Sequence, residues 1–115
     1  MNYMPEPSAF TAIRTLSDAG HRREPMLGEI LSIVSDVCGV PMLELKSPRR
    51  NIQAITARHI YAHLARIHTS KSFPQIGRVL GDRNHTTIIN SVRRVAQRPH
   101  LFAAEIAEIE RRLAV

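Results

Sequence analysis

The sequence predicts a small all-α domain that contains a helix-turn-helix motif and ends in a C-terminal helix. Apolar residues recur at three- and four-residue intervals in several segments, which is the spacing of amphipathic helices. Aromatic residues make up only 4% of a chain that is 43% hydrophobic, so aliphatic side chains must fill the core. A short helical segment, a turn that begins with glycine and a second helix with a polar first turn follow one another after residue 72, which is the order of a helix-turn-helix.

A length of 115 residues predicts one domain, which we place at residues 26–115. Residues 1–25 are expected to be a flexible segment with one short helix at most. In that helix Ser8 would be the N-cap, and it would end near Gly20. Its apolar side, formed by Phe10, Ile13 and Leu16, is equally consistent with a docking surface for a partner.

Helices outside the motif are predicted from apolar spacing and stop signals. Their expected bounds are Met26–Cys38, Pro41–Glu44, Gln53–His68 and Leu101–Leu113. In the third of these, the residues expected to face the core are Ile55, Ile60, Leu64 and Ile67. In the last, they are Phe102, Ile106, Ile109 and Leu113.

The first helix of the motif is predicted to run from Phe73 to Leu80. Ser72 and Gln75 have the spacing of a capping box, and Pro74 falls in the first turn, where a missing N–H does no harm. Gly81 tolerates the left-handed conformation that ends a helix. Asn84 is then a suitable N-cap for the second helix.

The second helix of the motif is predicted to present a polar first turn. His85, Thr86 and Thr87 are short polar residues that can meet base edges, thymine methyls or phosphates. The residues expected to pack inward are Ile88, Val92 and Val95, and those expected to lie along a phosphate backbone are Arg93 and Arg94. The alternative is that these polar residues only cap the helix.

Positive charge is concentrated in one continuous stretch. Residues 46–98 contain 11 lysines and arginines and one acid, a net charge of +10, whereas the remainder has five against nine, a net charge of −4. Such a stretch indicates a polyanionic partner, although a solvated basic face is the alternative. Within it, Lys46-Ser47-Pro48-Arg49-Arg50 forms a basic loop that suits phosphates or a narrow minor groove, or is simply a solvated loop.

Other classes of function are not indicated by the sequence. His59 and His63 are one helical turn apart, but no third ligand has suitable spacing, so we expect neither a metal nor a cofactor. No carboxylate pair or nucleophile–base arrangement indicates an enzyme. Cys38 lies in an apolar repeat, which is typical of a small core residue. Because it is the only cysteine, no disulfide can form within the chain, which fits a reducing cytoplasm. No apolar run is long enough for a membrane span.

The run Gly81-Asp82-Arg83-Asn84-His85-Thr86-Thr87-Ile88-Ile89 resembles the signature of the C-terminal DNA-binding domain of the bacterial replication initiator DnaA. The segments at 72–77, 58–66 and 46–50 resemble, in order, that family's first motif helix, the helix before it and its basic loop. The resemblance covers about residues 26–115. It implies a Trp-repressor-like helix-turn-helix domain that binds double-stranded DNA. Such a protein would be cytoplasmic and associated with the nucleoid.

The resemblance also implies a role for particular residues. Arg50 first and Arg49 second would enter the minor groove, and Arg58 would hold a base edge or a phosphate. His85, Thr86 and Thr87 would read the major groove of a short AT-rich box. The remaining residues that we count as DNA contacts are Lys71, Phe73, Pro74, Arg83, Asn84, Asn90 and Arg94.

Departures from the family pattern leave two functions open. Asn84 stands where the family usually has Asp and Asn90 where it often has His, so we expect either a changed base preference or a weakened specificity. Asp82 stands where the family frequently has Gly and adds one negative charge beside the DNA. The sequence has no G-x-x-x-x-G-K-[ST] loop, so we expect no ATPase activity. We expect a regulator of replication initiation or transcription that binds DNA as a monomer. The alternative is a protein-interaction module that acts on the initiator or on a replication-initiation regulator, with weak DNA binding.

Overall fold

The computed structural model of the protein describes residues 24–114. Within that range the chain forms six α-helices and one 3-10 turn, with no strand, which confirms the predicted all-α class. The elements are α1 (Leu27–Cys38), α2 (Met42–Leu45), α3 (Ile52–His68), α4 (Phe73–Val79), α5 (His85–Gln97), the 3-10 turn Pro99–Leu101 and α6 (Ala103–Leu113). The helix predicted between Ser8 and Gly20 lies outside the described residues.

Helix α3 is the central element, and the other five helices all pack against it. Its buried face is rich in small side chains, including Ala54, Ala57 and Ala65, which let the neighbouring helices approach closely. Tyr61 is fully buried on the same face, and its hydroxyl donates to the carbonyl oxygen of Ile76 in α4 at 3.0 Å. A buried phenol needs such a partner, and this bond ties the motif's first helix to the core.

The buried face of α3 differs in part from the predicted one. Ile60 and Leu64 are fully buried, as predicted, but Ile55 is only half-buried and Ile67 is 51% exposed. The prediction for Ile67 was therefore wrong. The buried face of α3 is centred on its alanines and Tyr61. The prediction gave most weight to large aliphatic residues and therefore placed the buried face too far towards Ile67.

The C-terminal helix starts later than predicted. The chain first forms the 3-10 turn Pro99–Leu101, because Pro99 cannot continue α5. Helix α6 then begins at Ala103 instead of Leu101. Its apolar face is nevertheless the predicted one, since Phe102 and Ile109 are buried and Ile106 and Leu113 pack against the core.

The predicted caps of the helix-turn-helix are confirmed. The Ser72 hydroxyl accepts from the Gln75 amide at 3.3 Å, and the Gln75 side chain accepts from the Ser72 amide at 2.8 Å. Asn84 Oδ1 accepts from the Thr86 amide at 2.7 Å at the start of α5. Helix α4 ends at Val79, one residue earlier than predicted, and Gly81 follows with φ +77°.

Gly77 allows the turn between α4 and α5 to pack directly on α4. The Gly77 carbonyl oxygen accepts from the Arg83 amide at 2.8 Å. A Cβ atom at position 77 would overlap the backbone carbonyl of Arg83, and it would also press on the Ile88 side chain. Neither a backbone group nor a buried isoleucine moves away at low cost.

We expect Gly77→Ala to destabilise the domain by about 1–3 kcal/mol, because the turn must shift away from α4. Gly28→Ala is the matched control: a Cβ at that helical position meets nothing within 4 Å. It should raise the stability by about 0.5–1 kcal/mol. Urea unfolding followed by circular dichroism measures both, and equal stability of the two variants would contradict the packing described for Gly77.

Candidate nucleic-acid interface

Two surfaces with polar and basic side chains flank an open groove of about 580 Å³. One is the basic loop, residues 46–50, between α2 and α3, and the other is the first part of α5. The groove is lined by Lys46, Ser47, Pro48, Arg50, Ile55, Arg58, His59, Leu80, Gly81, Arg83, Thr87 and Ser91. Because none of these residues is acidic, the groove offers cations and hydroxyl groups to a ligand.

The basic loop has internal hydrogen bonds that set its shape. The Ser47 hydroxyl donates to the Glu44 carbonyl at 2.8 Å and accepts from the Arg49 amide at 3.2 Å. The side chains of Arg49 and Arg50 are exposed, and within residues 24–114 neither forms a salt bridge. Their guanidinium groups therefore remain available to an anionic ligand.

Arg58 is only 6% exposed, and it bonds to the backbone of the basic loop and of the residues just before it. Its Nε donates to the Leu45 carbonyl at 2.9 Å, and its Nη2 donates to the carbonyls of Glu44 and Ser47, also at 2.9 Å. The two nitrogens on this edge of the guanidinium group are thus occupied. A two-pronged contact to a base would need an unoccupied edge, so Arg58 has only Nη1 left for a base edge or a phosphate, and that contact stays a prediction.

Arg83 is directed inward in the same way. Its Nη1 donates to the Leu80 carbonyl at 2.7 Å and to the Leu45 carbonyl at 3.3 Å, and its Nη2 donates to the Ser47 carbonyl at 2.7 Å. Both terminal nitrogens of Arg83 are thus bonded to backbone carbonyls, whereas its Nε makes no hydrogen bond within residues 24–114, so a DNA contact by Arg83 stays a prediction. Burial lowers the pKa of Arg83, and burial followed by the Arg83 charge lowers that of Arg58.

The turn that precedes α5 lies directly against the basic loop. A Cβ at Gly81 would overlap the Lys46 carbonyl, and the φ of +77° at Gly81 independently favours glycine. Asp82 follows with φ +57°, a left-handed conformation that aspartate tolerates better than most residues. This geometry gives a physical reason why the family frequently has glycine at the Asp82 position.

The first turn of α5 exposes its polar residues and buries its apolar ones. His85, Thr86 and Thr87 are exposed, whereas Ile88 is fully buried. Asn84 is exposed as well, but its Oδ1 is the cap for the Thr86 amide. The Asn84 Nδ2 group makes no hydrogen bond within residues 24–114, so its donors are available to an outside partner. Asn90 and Arg94 are exposed further along the helix.

The start of α4 presents the three remaining predicted contacts. Lys71 and Pro74 are exposed, and Phe73 is half-buried. The guanidinium carbon of Arg66 lies over the Phe73 ring, 5.4 Å from its centroid. Phe73 thus packs against the core on one side and against the Arg66 guanidinium group on the other. These contacts hold the start of α4, where Lys71 and Pro74 are exposed.

His59 is a groove residue that sequence reasoning missed. It lies half-buried on α3, and its Nδ1 is 2.9 Å from the Ser91 hydroxyl oxygen of α5. Its ring meets Phe102 edge to face, with centroids 6.2 Å apart. Burial lowers the pKa of His59, and the charges of Arg94 and Arg58 lower it further. Only the position of α5 across α3 brings these groups together, so apolar spacing gave no signal.

No group of three or more His, Cys, Asp or Glu residues in the described part of the chain is placed to hold a metal ion. No helix among residues 24–114 is both long enough and apolar enough to cross a membrane.

The fold and the groove define a helix-turn-helix domain whose second helix exposes a polar first turn beside a basic arm, an arrangement typical of DNA-binding proteins. A family model described as "Bacterial dnaA protein helix-turn-helix" matches residues 27–95. The chain belongs to this family, and the resemblance inferred from the sequence is confirmed.

Curated relatives agree with this assignment. The chain is 35% identical over 82 residues to the "Chromosomal replication initiator protein DnaA" of Rhizobium meliloti, a match that covers 71% of this chain and 17% of the relative. Proteins of the same name match at 36% over 80 residues in Agrobacterium fabrum (70% and 16% covered) and at 38% over 68 residues in a Picosynechococcus species (59% and 15% covered). The chain thus spans about one sixth of the length of the curated relatives it matches.

We expect Arg83→Met to destabilise the domain by about 1–3 kcal/mol, because it leaves the carbonyl groups of Leu45, Ser47 and Leu80 without this donor. Arg78→Met is the matched control, since Arg78 is exposed and none of the side-chain hydrogen bonds described above involves it. Thermal and urea unfolding give the comparison. An Arg83→Met variant as stable as Arg78→Met would show that the loop does not depend on this arginine.

Proposed function

We propose that this domain binds double-stranded DNA in a sequence-specific manner at DnaA-box-like sites and so regulates replication initiation or transcription. In this proposal α5 enters the major groove by its first turn, and the basic loop enters the adjacent minor groove. The domain binds as a monomer, since one helix and one arm need no palindromic site. Binding alone accounts for the activity, so no nucleotide hydrolysis is required.

The observation that carries the proposal is the fixed placement of two exposed sets of side chains on either side of one groove. Arg49 and Arg50 lie on the loop, and His85, Thr86 and Thr87 lie on α5. Family membership supports the same function, because the relatives are named chromosomal replication initiator proteins. A groove lined without acids fits the negative charge of a DNA backbone.

Each predicted contact has a role in this arrangement. His85, Thr86 and Thr87 read base edges, and Asn90 meets the same groove one turn later. Arg50 and Arg49 enter the minor groove. The residues that hold the phosphate backbone are Lys71, Phe73, Pro74 and Arg94. Two further arginines, Arg58 and Arg83, position the loop, and Arg58 retains only Nη1 for a phosphate.

Asn84 offers its amide donor to a base in this proposal. A bidentate contact to adenine needs both the oxygen and the nitrogen of an asparagine side chain. The oxygen of Asn84 already caps α5. The Nδ2 donor of Asn84 is not used by the cap and suits an acceptor such as N7 or O6 of guanine or O4 of thymine, so Asn84 should favour a base with an exposed acceptor over cytosine.

The proposal is tested by fluorescence anisotropy of the purified chain with a DnaA-box duplex and a scrambled duplex of the same composition. We expect tighter binding to the box at every salt concentration. With about five phosphate contacts, the slope of log K against log salt should be about −4 to −5. Weak and equal binding to both duplexes would overturn the proposal and favour the protein-interaction module.

Arg50→Ala and His85→Ala separate the two DNA-reading elements. Each should weaken binding to the box by about 1–3 kcal/mol, and His85→Ala should also reduce discrimination against the scrambled duplex. Arg111→Ala is the control for charge, because Arg111 lies on α6 and pairs with Glu108 at 2.6 Å. If Arg50→Ala weakens binding no more than Arg111→Ala does, the loop has no specific role.

A further inference from the structure

The groove between the basic loop and α5 contains an ionisable side chain that base reading does not use. His59 lines this groove, together with Arg50, Arg58 and Arg83. It contacts α5 through Ser91 and the start of α6 through Phe102. Its Nε2 makes no hydrogen bond to any residue in the 24–114 range. The histidine is therefore held in place on one side and unoccupied at its second nitrogen.

The ligand that fits such a groove is a phosphate group. Its lining contains four cations and no carboxylate. Lys46 and Arg50 make no side-chain hydrogen bond within residues 24–114, and the hydroxyls of Thr87 and Ser91 add further donors. Arg58 and Arg83 contribute their charge, because most of their N–H groups are bonded to carbonyls. Guanidinium and hydroxyl groups are the usual donors to phosphate oxygens. The groove also lies between the two DNA-contacting elements of the proposed function, where a backbone segment must pass from the major to the minor groove.

We propose that a DNA backbone phosphate occupies this groove and that His59 takes up a proton when the phosphate binds. The inference rests on the proposed function and adds to it a proton-linked ligand. An imidazolium ring donates from both nitrogens. One N–H then bonds the Ser91 hydroxyl oxygen, and the other bonds a phosphate oxygen.

The charges around His59 explain why the ring takes up a proton when DNA binds and not before. Arg94 on α5 and Arg58 on its own helix are the charges that act on the ring, and Lys46, Arg50 and Arg83 line the same groove. Ser91 and Phe102, which contact the ring, are uncharged. In the free protein burial lowers the pKa of His59 below 6.5, and Arg94 and Arg58 add to this effect. A bound phosphate brings opposite charge and raises that pKa.

The sign of the pH dependence follows from linkage. A group whose pKa is higher in the complex than in the free protein binds a proton on association, so affinity rises as pH falls through the interval between the two pKa values. A rise of one unit would strengthen binding by about tenfold at pH values below both. Well above the pKa in the complex, His59 is neutral in both states and the effect vanishes.

The test uses His59→Gln, which retains hydrogen-bonding groups but does not titrate. Anisotropy with the box duplex is measured from pH 5.5 to 8 at constant ionic strength. The result is the difference between variant and wild type, so that any pH dependence arising elsewhere in the complex cancels. We expect the wild type to gain up to about tenfold more affinity towards low pH than His59→Gln does.

His63→Gln is the matched control. His63 lies one turn further along α3, half-buried, outside the groove lining, and its pKa is likewise lowered by burial. This variant should keep the wild-type pH dependence of DNA binding. Histidine C2–H chemical shifts in the free and DNA-bound protein give a direct readout, in which the His59 resonance should titrate at higher pH in the complex.

The two proposals fail in different ways. A wild-type domain that binds the box specifically, but whose pH profile matches that of His59→Gln, overturns the inference and leaves the proposed function standing. An unchanged His59 titration in the complex does the same. If the wild type does not prefer the box at any pH, the proposed function itself fails and the inference falls with it.

Discussion

Two arginine side chains hold the backbone of the basic loop, and the geometry of the interface depends on them. Arg58 and Arg83 together donate six hydrogen bonds to carbonyl oxygens, and two of those carbonyls, at Leu45 and Ser47, accept from both arginines. Placing two guanidinium groups side by side is unfavourable, because each charge disfavours the other. The carbonyl dipoles offset this cost, since hydrogen bonds to charged donors are stronger than neutral ones.

This arrangement makes the loop and the helix-turn-helix one rigid unit. Arg83 belongs to the turn before α5, so its bonds to the loop connect the minor-groove arm to the recognition helix without an intervening flexible segment. Gly81 lets the same turn press against the Lys46 carbonyl. A preorganised arm loses less conformational entropy on binding than a free one does, and these contacts set the position of the loop relative to the first turn of α5.

Local signals in the sequence predicted the fold well, whereas long-range contacts remained hidden. The capping box at Ser72 and Gln75, the cap at Asn84 and the stop at Gly81 act within four residues, so their residue types and spacing sufficed. The inward roles of Arg58 and Arg83 depend on partners 11–14 and 36–38 residues away along the chain. A basic residue in a basic stretch looks the same whether it faces DNA or a carbonyl, so sequence reasoning assigned both arginines to DNA. For His59, similarly, nothing in the sequence indicated Ser91 as its partner.

The arginine side chains of the basic stretch are therefore of two kinds. Arg49, Arg50 and Arg94 are exposed and can meet phosphates or bases directly, whereas Arg58 and Arg83 bond to carbonyls and keep their charge, since no carboxylate lies among their hydrogen-bond partners. An arginine that is not neutralised still contributes to the field around the groove. The inward pair thus supports the attraction of DNA at a distance, although base discrimination must come from the exposed side chains. All five arginines consequently contribute to the field, whereas specificity can depend only on the side chains that are free to contact a base.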